Sequence, residues 1–228
     1  MSRLLVFDLD GTLVDTAPDL IGALNATLAL EKIAPVPLEK ARDLVGAGVR
    51  ALLERGLALS NSTVSESRFE ELFQAFFAYY AEHIADTSRP YPGLLDELAY
   101  LKAEGWRFAV CTNKLEALSV RLVDTLGLSH WFAANCGGDS FAFRKPDPRH
   151  LTETIRLAGG ADIAIMVGDS QTDVDTARNA GIPVIGVPFG YTPVPMMDLK
   201  PDVLIQHFSE LRAAVAKVAG QHGSRTSP

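Results

Sequence analysis

Two carboxylates stand close together near the start of the chain. Asp8 and Asp10 follow the apolar run at residues 4–7 and surround a single leucine just before Gly11. If the run is a strand, side chains two positions apart lie on the same side, so the two carboxylates share one small volume. Two like charges at that separation are costly unless a cation or a shared proton compensates them. The pair therefore favours a metal-dependent reaction over a structural role.

Polar side chains also follow two later apolar runs. They are Thr112, Asn113 and Lys114 after residues 108–111, Gly168, Asp169 and Asp173 after residues 164–167, and Lys145 in an Arg-Lys-Pro-Asp-Pro segment between the runs. In open α/β sheets, ligands bind beyond the carboxyl ends of the strands. If these strands are neighbours, the side chains converge with the first pair. Each one alone is equally explained as a turn or helix-cap residue, but the ordered set favours a site.

The carboxylates suit a magnesium-dependent attack on phosphorus. Asp8, Asp10 and Asp169 supply hard oxygen ligands, which Mg²⁺ prefers. A carboxylate can attack phosphorus and form an aspartyl-phosphate, and Asp8 is held most rigidly because it lies at the strand end. Asp10 lies in the following turn, from which it could protonate the leaving oxygen and later accept a proton from water.

Three further side chains could hold the phosphate. Thr112 and Asn113 offer a hydroxyl and an amide donor to phosphate oxygens, and the N-terminus of the next helix would add backbone N–H groups. Lys145 supplies a positive charge, which the rigid Lys-Pro step would pre-set. No separate role is assigned to Lys114 from the sequence.

The elements that would position these residues alternate along the chain. Apolar runs of strand length occur at residues 4–7, 108–111, 163–167, 183–187 and 203–205. Stretches with helical periodicity occur at residues 94–103, 116–126, 150–157, 172–180 and 210–218. Alternation of strands and helices predicts the α/β class, with a parallel sheet covered by helices.

A segment near the N-terminus interrupts this alternation. It shows helical patterns and no convincing strand, and it ends at a proline-rich boundary. We predict a helical cap domain over residues 17–90, a core over 1–16 and 91–220, and a flexible tail over 221–228. Because the insert leaves the core beside the carboxylate turn, it is placed to cover the site as a lid. A helical decoration without contact to the site is the alternative.

Composition argues against some classes of protein. Apolar residues make up 47% of the 228 residues, and no apolar run approaches the roughly 18 residues of a membrane span. The formal net charge of −7 argues against nucleic-acid binding. Cys111 and Cys136 are too few and too far apart for a zinc or CxxC motif, and two thiols in a chain of this size fit a reducing cytoplasm. With no signal peptide in view, we expect a cytoplasmic protein that acts on a small phosphorylated metabolite, without a membrane partner.

The motifs together resemble the haloacid dehalogenase superfamily of phosphohydrolases. The matching residues are, in four ordered motifs, Asp8, Asp10, Gly11 and Thr12, then Thr112, then Lys145, and finally Gly168, Asp169 and Asp173. The resemblance implies a Rossmann-like core with a small helical cap, Asp8 as nucleophile and Asp10 as general acid and base. It also implies Mg²⁺ on Asp8, Asp169 and the backbone carbonyl of Asp10. Asp173 would support Lys145 or the surroundings of the metal.

Within this family, the presence of Asp10 favours phosphate over halide chemistry, because the dehalogenase branch lacks that second carboxylate. Three stretches, at residues 15–19, 45–50 and 186–191, resemble the phosphoglycolate phosphatase subfamily. That resemblance implies hydrolysis of 2-phosphoglycolate to glycolate and phosphate. Arg50 lies in the predicted cap, where its guanidinium could bind the substrate carboxylate, or it is a solvent-facing helix residue.

Other activities stay open on the sequence alone. A mutase resembling β-phosphoglucomutase, or a phosphatase for nucleotides or pyrophosphate, would use the same motifs, and Lys32 and Lys40 leave phosphonatase chemistry open. A receiver-like signalling module also combines acidic residues, Mg²⁺, a threonine and a lysine, but it lacks such a helical insert. A catalytically silent binding protein is disfavoured because the set of acidic residues and Lys145 is intact.

Overall fold

The computed structural model describes residues 1–38, 45 and 48–223. The strands in this part of the chain are β1 (Arg3–Phe7), β2 (Val14–Asp15), β3 (Arg89–Pro90), β4 (Trp106–Cys111), β5 (Phe132–Cys136), β6 (Ile163–Gly168), β7 (Val184–Gly186) and β8 (Val203–Leu204). Six of them form a parallel sheet in the order β5-β4-β1-β6-β7-β8. Lys40, and Gly46 and Ala47 of the 45–50 stretch, lie outside the described residues.

Helices cover both faces of this sheet. They are α1 (Ala17–Ala29), α2 (Val49–Leu59), α3 (Glu66–Glu82), α4 (Leu94–Ala103), α5 (Glu116–Thr125), α6 (Pro148–Leu157), α7 (Gln171–Asn179) and α8 (Leu211–Gly223). Side chains alternate along β1: Leu5 and Phe7 pack in a cluster with α4 and α8, whereas Leu4 and Val6 pack in a second cluster with α6 and α7. The predicted α/β class with a helix-covered parallel sheet is confirmed.

One strand of the sheet has no counterpart among the predicted runs. β5 reads Phe-Ala-Ala-Asn-Cys and lies at the edge of the sheet, beside β4. Most of its residues are only partly buried, so its sequence is not a continuous apolar run. The central strands β1, β4 and β6 each contain a continuous apolar run, as strands covered on both faces require, and they were predicted within two residues of their ends.

The segment between β2 and β3 is helical in its described part. It contains α1, α2 and α3, and α1 packs against both of the others. The short strands β2 and β3 pair antiparallel where the segment leaves and rejoins the rest of the chain, a ribbon that the sequence pattern did not predict. Leu24, Leu52 and Phe76 belong to the same buried cluster as Leu5, so the insert packs continuously with the sheet.

The last helix is longer than the sequence pattern indicates. α8 ends at Gly223, so helix continues three residues into the predicted tail. Leu211, Val215 and Val218 are buried against the sheet, which fixes the helix upstream of that point. The remainder of the predicted tail lies outside the described residues.

Candidate active site

Three adjacent strands carry polar side chains to one edge of the sheet. β1 lies between β4 and β6 and is parallel to both. Asp8 directly follows β1, and its N–H donates to the Val167 carbonyl at 2.9 Å; Thr112 follows β4, and its N–H donates to the Cys136 carbonyl at 3.0 Å. Asp169 follows β6. Because the backbone is hydrogen-bonded at these points, the side chains start from fixed positions at the same edge.

A buried ammonium group lies between two of the carboxylates. Lys145 Nζ is 2.9 Å from Asp8 Oδ1 and 2.6 Å from Asp173 Oδ1, and the lysine side chain is 2% exposed. Burial by itself lowers the pKa of a lysine, but Asp173 and Asp8 outweigh it and hold the pKa of Lys145 well above its usual range. Lys145 is therefore a permanent positive charge in the site.

Asp173 holds this lysine from the first turn of α7. Its Oδ2 accepts from the N–H of Ser170 at 3.1 Å and from the Ser170 hydroxyl at 2.6 Å, while Oδ1 accepts from Lys145 Nζ. Ser170 Oγ in turn accepts from Asp173 N, which completes a capping box. A side chain at Gly168 would collide with the Asp173 carboxylate, so the glycine permits this close approach.

Asp169 is a buried carboxylate in the adjacent loop. Its Oδ1 accepts from Thr12 Oγ1 at 2.9 Å, and its Oδ2 accepts from the N–H of Tyr191 at 2.8 Å. Burial, assisted by the neighbouring carboxylates, raises the pKa of Asp169 well above its usual range. Gly11 has a φ of +84°, and a Cβ there would lie 2.6 Å from Asp169 Oδ2, so both backbone and space require glycine.

The carboxylate cluster fits a divalent cation. One oxygen from each of Asp8, Asp169 and Asp173 lies within 4.8 Å of the others. Burial raises the pKa of Asp8 to about 6, so the site disfavours its own negative charges. With Asp10 included, the group holds four carboxylates and two buried lysines, so its formal charge is −2 when every group is ionised. Charge and oxygen ligands together therefore suit Mg²⁺.

Lys114 is the second lysine, and the sequence indicated no role for it. Its Nζ donates to Asp10 Oδ1 at 3.0 Å and Oδ2 at 3.2 Å, and to Tyr80 Oη at 2.8 Å. Burial by itself lowers its pKa, but Asp10 and Tyr80 raise it above the usual range. The available signal was its place in the Thr-Asn-Lys run after a strand; its partner Tyr80, on α3, is distant in sequence.

Thr112 and Asn113, the two uncharged side chains predicted to bind phosphate, have different surroundings. Thr112 is buried, and its Oγ1 accepts from the N–H of Lys114 at 3.2 Å. Asn113 Nδ2 donates to the carbonyl of Lys145 at 3.0 Å, so this amide holds the loop that carries the lysine. Both residues line the same cavity as the carboxylates.

A cavity of about 430 Å³ lies over the strand ends. Its core side includes Asp8, Asp10 and Asp169, and α3 of the helical insert contributes Phe73, Phe77 and Tyr80. The insert therefore does contact the site, in contrast to the alternative of a remote helical decoration.

Arg50 also lines this cavity, but other groups engage its guanidinium. Nη2 lies 3.2 Å from Glu70 Oε2 and Nη1 lies 3.6 Å from Glu66 Oε1. The guanidinium carbon is 4.8 Å from the ring centroid of Phe69 and 5.2 Å from that of Phe73. With its side chain 49% exposed, Arg50 resembles a surface residue of the insert as much as a ligand for substrate.

Tyr191 ties the start of the insert to the site. Its hydroxyl accepts from the N–H of Thr16 at 2.6 Å and of Ala17 at 2.9 Å, and it donates to Asp15 Oδ1 at 2.7 Å. Tyr191 is buried and lines the cavity, whereas Phe189 packs against neighbouring aromatic rings. The interaction of Tyr191 with Asp15 and Thr16 was not evident from local sequence, because the residues are far apart in the chain.

Comparison with known proteins identifies the family. A family model described as haloacid dehalogenase-like hydrolase matches residues 5–187. The chain belongs to this family. The resemblance inferred from the four motifs is thus confirmed, and the haloacid dehalogenase-like hydrolase fold accounts for the carboxylates at the edge of the sheet.

Relatives of this hydrolase match it almost end to end. The phosphoglycolate phosphatase of Mesorhizobium japonicum is 49% identical over 219 residues, which cover 95% of the chain and 96% of the relative. The phosphoglycolate phosphatase of Agrobacterium fabrum is 49% identical over 216 residues, which cover 94% of the chain and 93% of the relative. The crystal structure of a predicted phosphoglycolate phosphatase from Haemophilus somnus 129PT has a TM-score of 0.86 at 30% identity. The match covers 94% of the chain and 98% of that structure. These relatives indicate that the hydrolase is a phosphatase.

Within the described residues, no helix is long and apolar enough to cross a membrane.

Proposed function

We propose that this phosphatase hydrolyses 2-phosphoglycolate to glycolate and phosphate through an aspartyl-phosphate intermediate. The observation that carries the proposal is the group at the strand ends, in which Lys145 Nζ lies between Asp8 and Asp173 while Asp10 faces the same cavity. The two relatives at 49% identity, both phosphoglycolate phosphatases, support the choice of substrate.

Asp8 is the proposed nucleophile. Its Oδ1 accepts from the N–H of Leu9 at 2.7 Å and lies 2.9 Å from Lys145 Nζ, so we assign the attack to Oδ2. A bond forms between that oxygen and phosphorus, and the bond from phosphorus to the glycolate oxygen breaks. The charge of Lys145 offsets the repulsion between the carboxylate and the incoming phosphate.

Asp10 is the proposed general acid and base. It protonates the glycolate oxygen as that oxygen leaves, and it then accepts a proton from the water that attacks the phosphoryl group. The second step breaks the bond between phosphorus and the Asp8 oxygen, releases phosphate and restores the Asp8 carboxylate. Asp10 suits both steps because its side chain is 22% exposed and lines the cavity.

We assign a magnesium site to Asp8, Asp169 and the backbone carbonyl of Asp10. When bound there, Mg²⁺ supplies positive charge to the oxygens of the phosphate. Asp173 is assigned to the support of Lys145, since one of its oxygens accepts from that lysine and the other from Ser170. Thr112 and Asn113 remain the proposed phosphate-binding side chains, beside Lys145.

The helical segment over residues 17–90 is the proposed cap domain. Phe73, Phe77 and Tyr80 of α3 line the cavity, so movement of this segment would open or close access to the strand ends. The β2–β3 ribbon is the narrow connection at which such a movement would occur. A closed cap would exclude bulk water while the phosphoryl group is transferred.

The cysteines support a reducing, cytoplasmic setting for this activity. Cys111 and Cys136 are register partners on β4 and β5, yet both are free thiols and buried. Burial raises the pKa of Cys111 to about 12, which keeps it a thiol.

The proposal is tested by phosphate release from 2-phosphoglycolate, with and without Mg²⁺, for the wild type, Asp8→Asn and Asp175→Asn. Asp175 is a matched control on α7, where its carboxylate lies 3.7 Å from Arg178 and outside the cavity lining. We expect turnover that requires Mg²⁺, a fall of about 10⁴-fold or more for Asp8→Asn, and wild-type rates for Asp175→Asn.

Other outcomes distinguish the rival activities. Undiminished turnover by Asp8→Asn would overturn the mechanism. Faster hydrolysis of a nucleotide or of pyrophosphate would replace the substrate but keep the mechanism. Isomerisation of a sugar phosphate without net phosphate release would favour a mutase.

A further inference from the structure

The cavity contains a buried cation that the proposed mechanism does not use. The Lys114 side chain is 5% exposed, and its Nζ lies 3.0 Å from Asp10 Oδ1 and 2.8 Å from Tyr80 Oη. We propose that Lys114 binds the carboxylate of the substrate's glycolate group and is thereby a specificity-determining residue. This assignment rests on the proposed function, because it takes 2-phosphoglycolate as the substrate.

The position of Asp10 determines where that carboxylate lies. A general acid must come within about 2.6–3.2 Å of the oxygen that it protonates. In 2-phosphoglycolate the carboxylate carbon is separated from the ester oxygen by a single methylene. Since Lys114 Nζ hydrogen-bonds to both oxygens of Asp10, an ester oxygen held by Asp10 brings its carboxylate within reach of the same ammonium group.

The other cations at the cavity are less suited to this task. The Arg50 side chain is 49% exposed, so water competes for its charge. Arg144 is exposed, so water screens its charge. A buried ammonium group interacts more strongly with a carboxylate than an exposed guanidinium does, because less water competes for either charge.

Tyr80 holds the ammonium group of Lys114 in place. It is 1% exposed in the core of the insert, and its hydroxyl accepts a hydrogen bond from Lys114 Nζ at 2.8 Å. The ammonium group is therefore ordered before a ligand arrives, which reduces the entropy lost on binding. Esters with a neutral group next to the methylene, or with a carboxylate further along the chain, would not gain this interaction.

The experiment compares kcat/KM for 2-phosphoglycolate with that for 2-phosphoglycolamide, in which a neutral amide replaces the carboxylate. We expect the wild type to prefer the acid by about ten- to a hundredfold, the range of a charge-assisted hydrogen bond. Lys114→Met should bring the ratio close to one. Arg144→Gln, the matched loss of a cavity cation, should lower both values alike and keep the ratio.

A ratio that stays at the wild-type value in Lys114→Met, with both esters slowed equally, would show that Lys114 only positions Asp10 and would overturn the assignment. If Lys114→Met does not fold, Lys114→Gln decides, since it keeps a polar side chain of similar length and removes the charge; an unchanged ratio there also contradicts the assignment. A wild type that hydrolyses neither ester contradicts the proposed function itself. Hydrolysis of both without a charge preference contradicts only the role of Lys114.

Discussion

Lys145 keeps its charge in a buried position because Asp8 and Asp173 lie on either side of its ammonium group. Removal of one partner from such a group leaves the other charges uncompensated, so the three side chains stabilise one another's positions. The backbone of the lysine is fixed as well, since its N–H donates to His150 Nδ1 at 3.2 Å. His150 thereby supports the loop that carries Lys145.

The burial of His150 predicts a pH-dependent stability. Burial, and then the charge of Lys145, lowers the pKa of His150 from 6.5 to about 4. Below pH 6.5 the unfolded chain binds a proton that the folded protein does not, so this group makes stability fall as the pH drops from 6.5 towards 4. The slope from one such group is at most about 1.4 kcal/mol per pH unit. Urea unfolding at pH 7, 6 and 5 should show a smaller loss in His150→Gln than in the wild type.

The matched control is His130→Gln, because His130 is exposed on the far end of the sheet. It should keep the pH dependence of the wild type. Parallel curves for the wild type and His150→Gln would contradict the prediction. The difference between the wild type and His150→Gln also cancels the contribution of Asp8, whose raised pKa makes stability rise, not fall, as the pH drops.

At the scale of elements, one carboxylate joins the start of α1 to the segment that returns to the sheet. Asp19 accepts from the N–H of Thr87 at 3.0 Å and the N–H of Ser88 at 2.8 Å, and also from both hydroxyls at 2.6 Å. Burial by itself raises its pKa, but the donors of Ser88 and Thr87 outweigh it and lower the pKa below the usual range. These bonds hold together, beside the β2–β3 ribbon, the two segments that connect the insert to the core.

Asp19→Asn should therefore lower the free energy of unfolding by about 2–3 kcal/mol at pH 7, since hydrogen bonds to a charged group are lost. Because the folded pKa is lowered, the stabilisation is present above the unfolded pKa and is lost as the pH falls through the folded value. Urea unfolding of Asp19→Asn and of the exposed control Asp86→Asn measures this. Equal stability of the two variants, or a difference that persists in strong acid, would contradict it.

At the scale of the whole molecule, the acidic cluster links stability to metal binding. Asp169 is buried, and its pKa is raised chiefly by that burial, so its charge costs free energy in the absence of a cation. A ligand that binds only the folded state stabilises it by about 2.7 kcal/mol at a concentration of 100 Kd. For a chain of this length, Mg²⁺ at that concentration should raise Tm by about 5–10 °C.

Thermal melting with EDTA and with Mg²⁺ checks this prediction. Asp169→Asn should lose the increase and should melt higher than the wild type in EDTA, because the variant buries no charge there. Asp175→Asn should keep the full increase. A Tm of the wild type that does not respond to Mg²⁺ would count against the assigned metal site.

Some strands could be predicted from the sequence and others could not. β1, β4 and β6 are buried on both faces, so their apolar runs were visible, and their ends located Asp8, Thr112 and Asp169. β5 was missed because an edge strand that is partly exposed need not be apolar. The β2–β3 ribbon was missed because strands of two residues leave no periodicity.

The sequence by itself determined the haloacid dehalogenase-like hydrolase family and the α/β class, because ordered polar residues at strand ends and buried apolar runs are local patterns. Tertiary structure alone decided which groups meet across the chain. It joins Lys114 to Asp10 and Tyr80, and it directs Arg50 towards Glu66 and Glu70. Such contacts depend on how the insert packs over the sheet, and no spacing within a single segment encodes that packing.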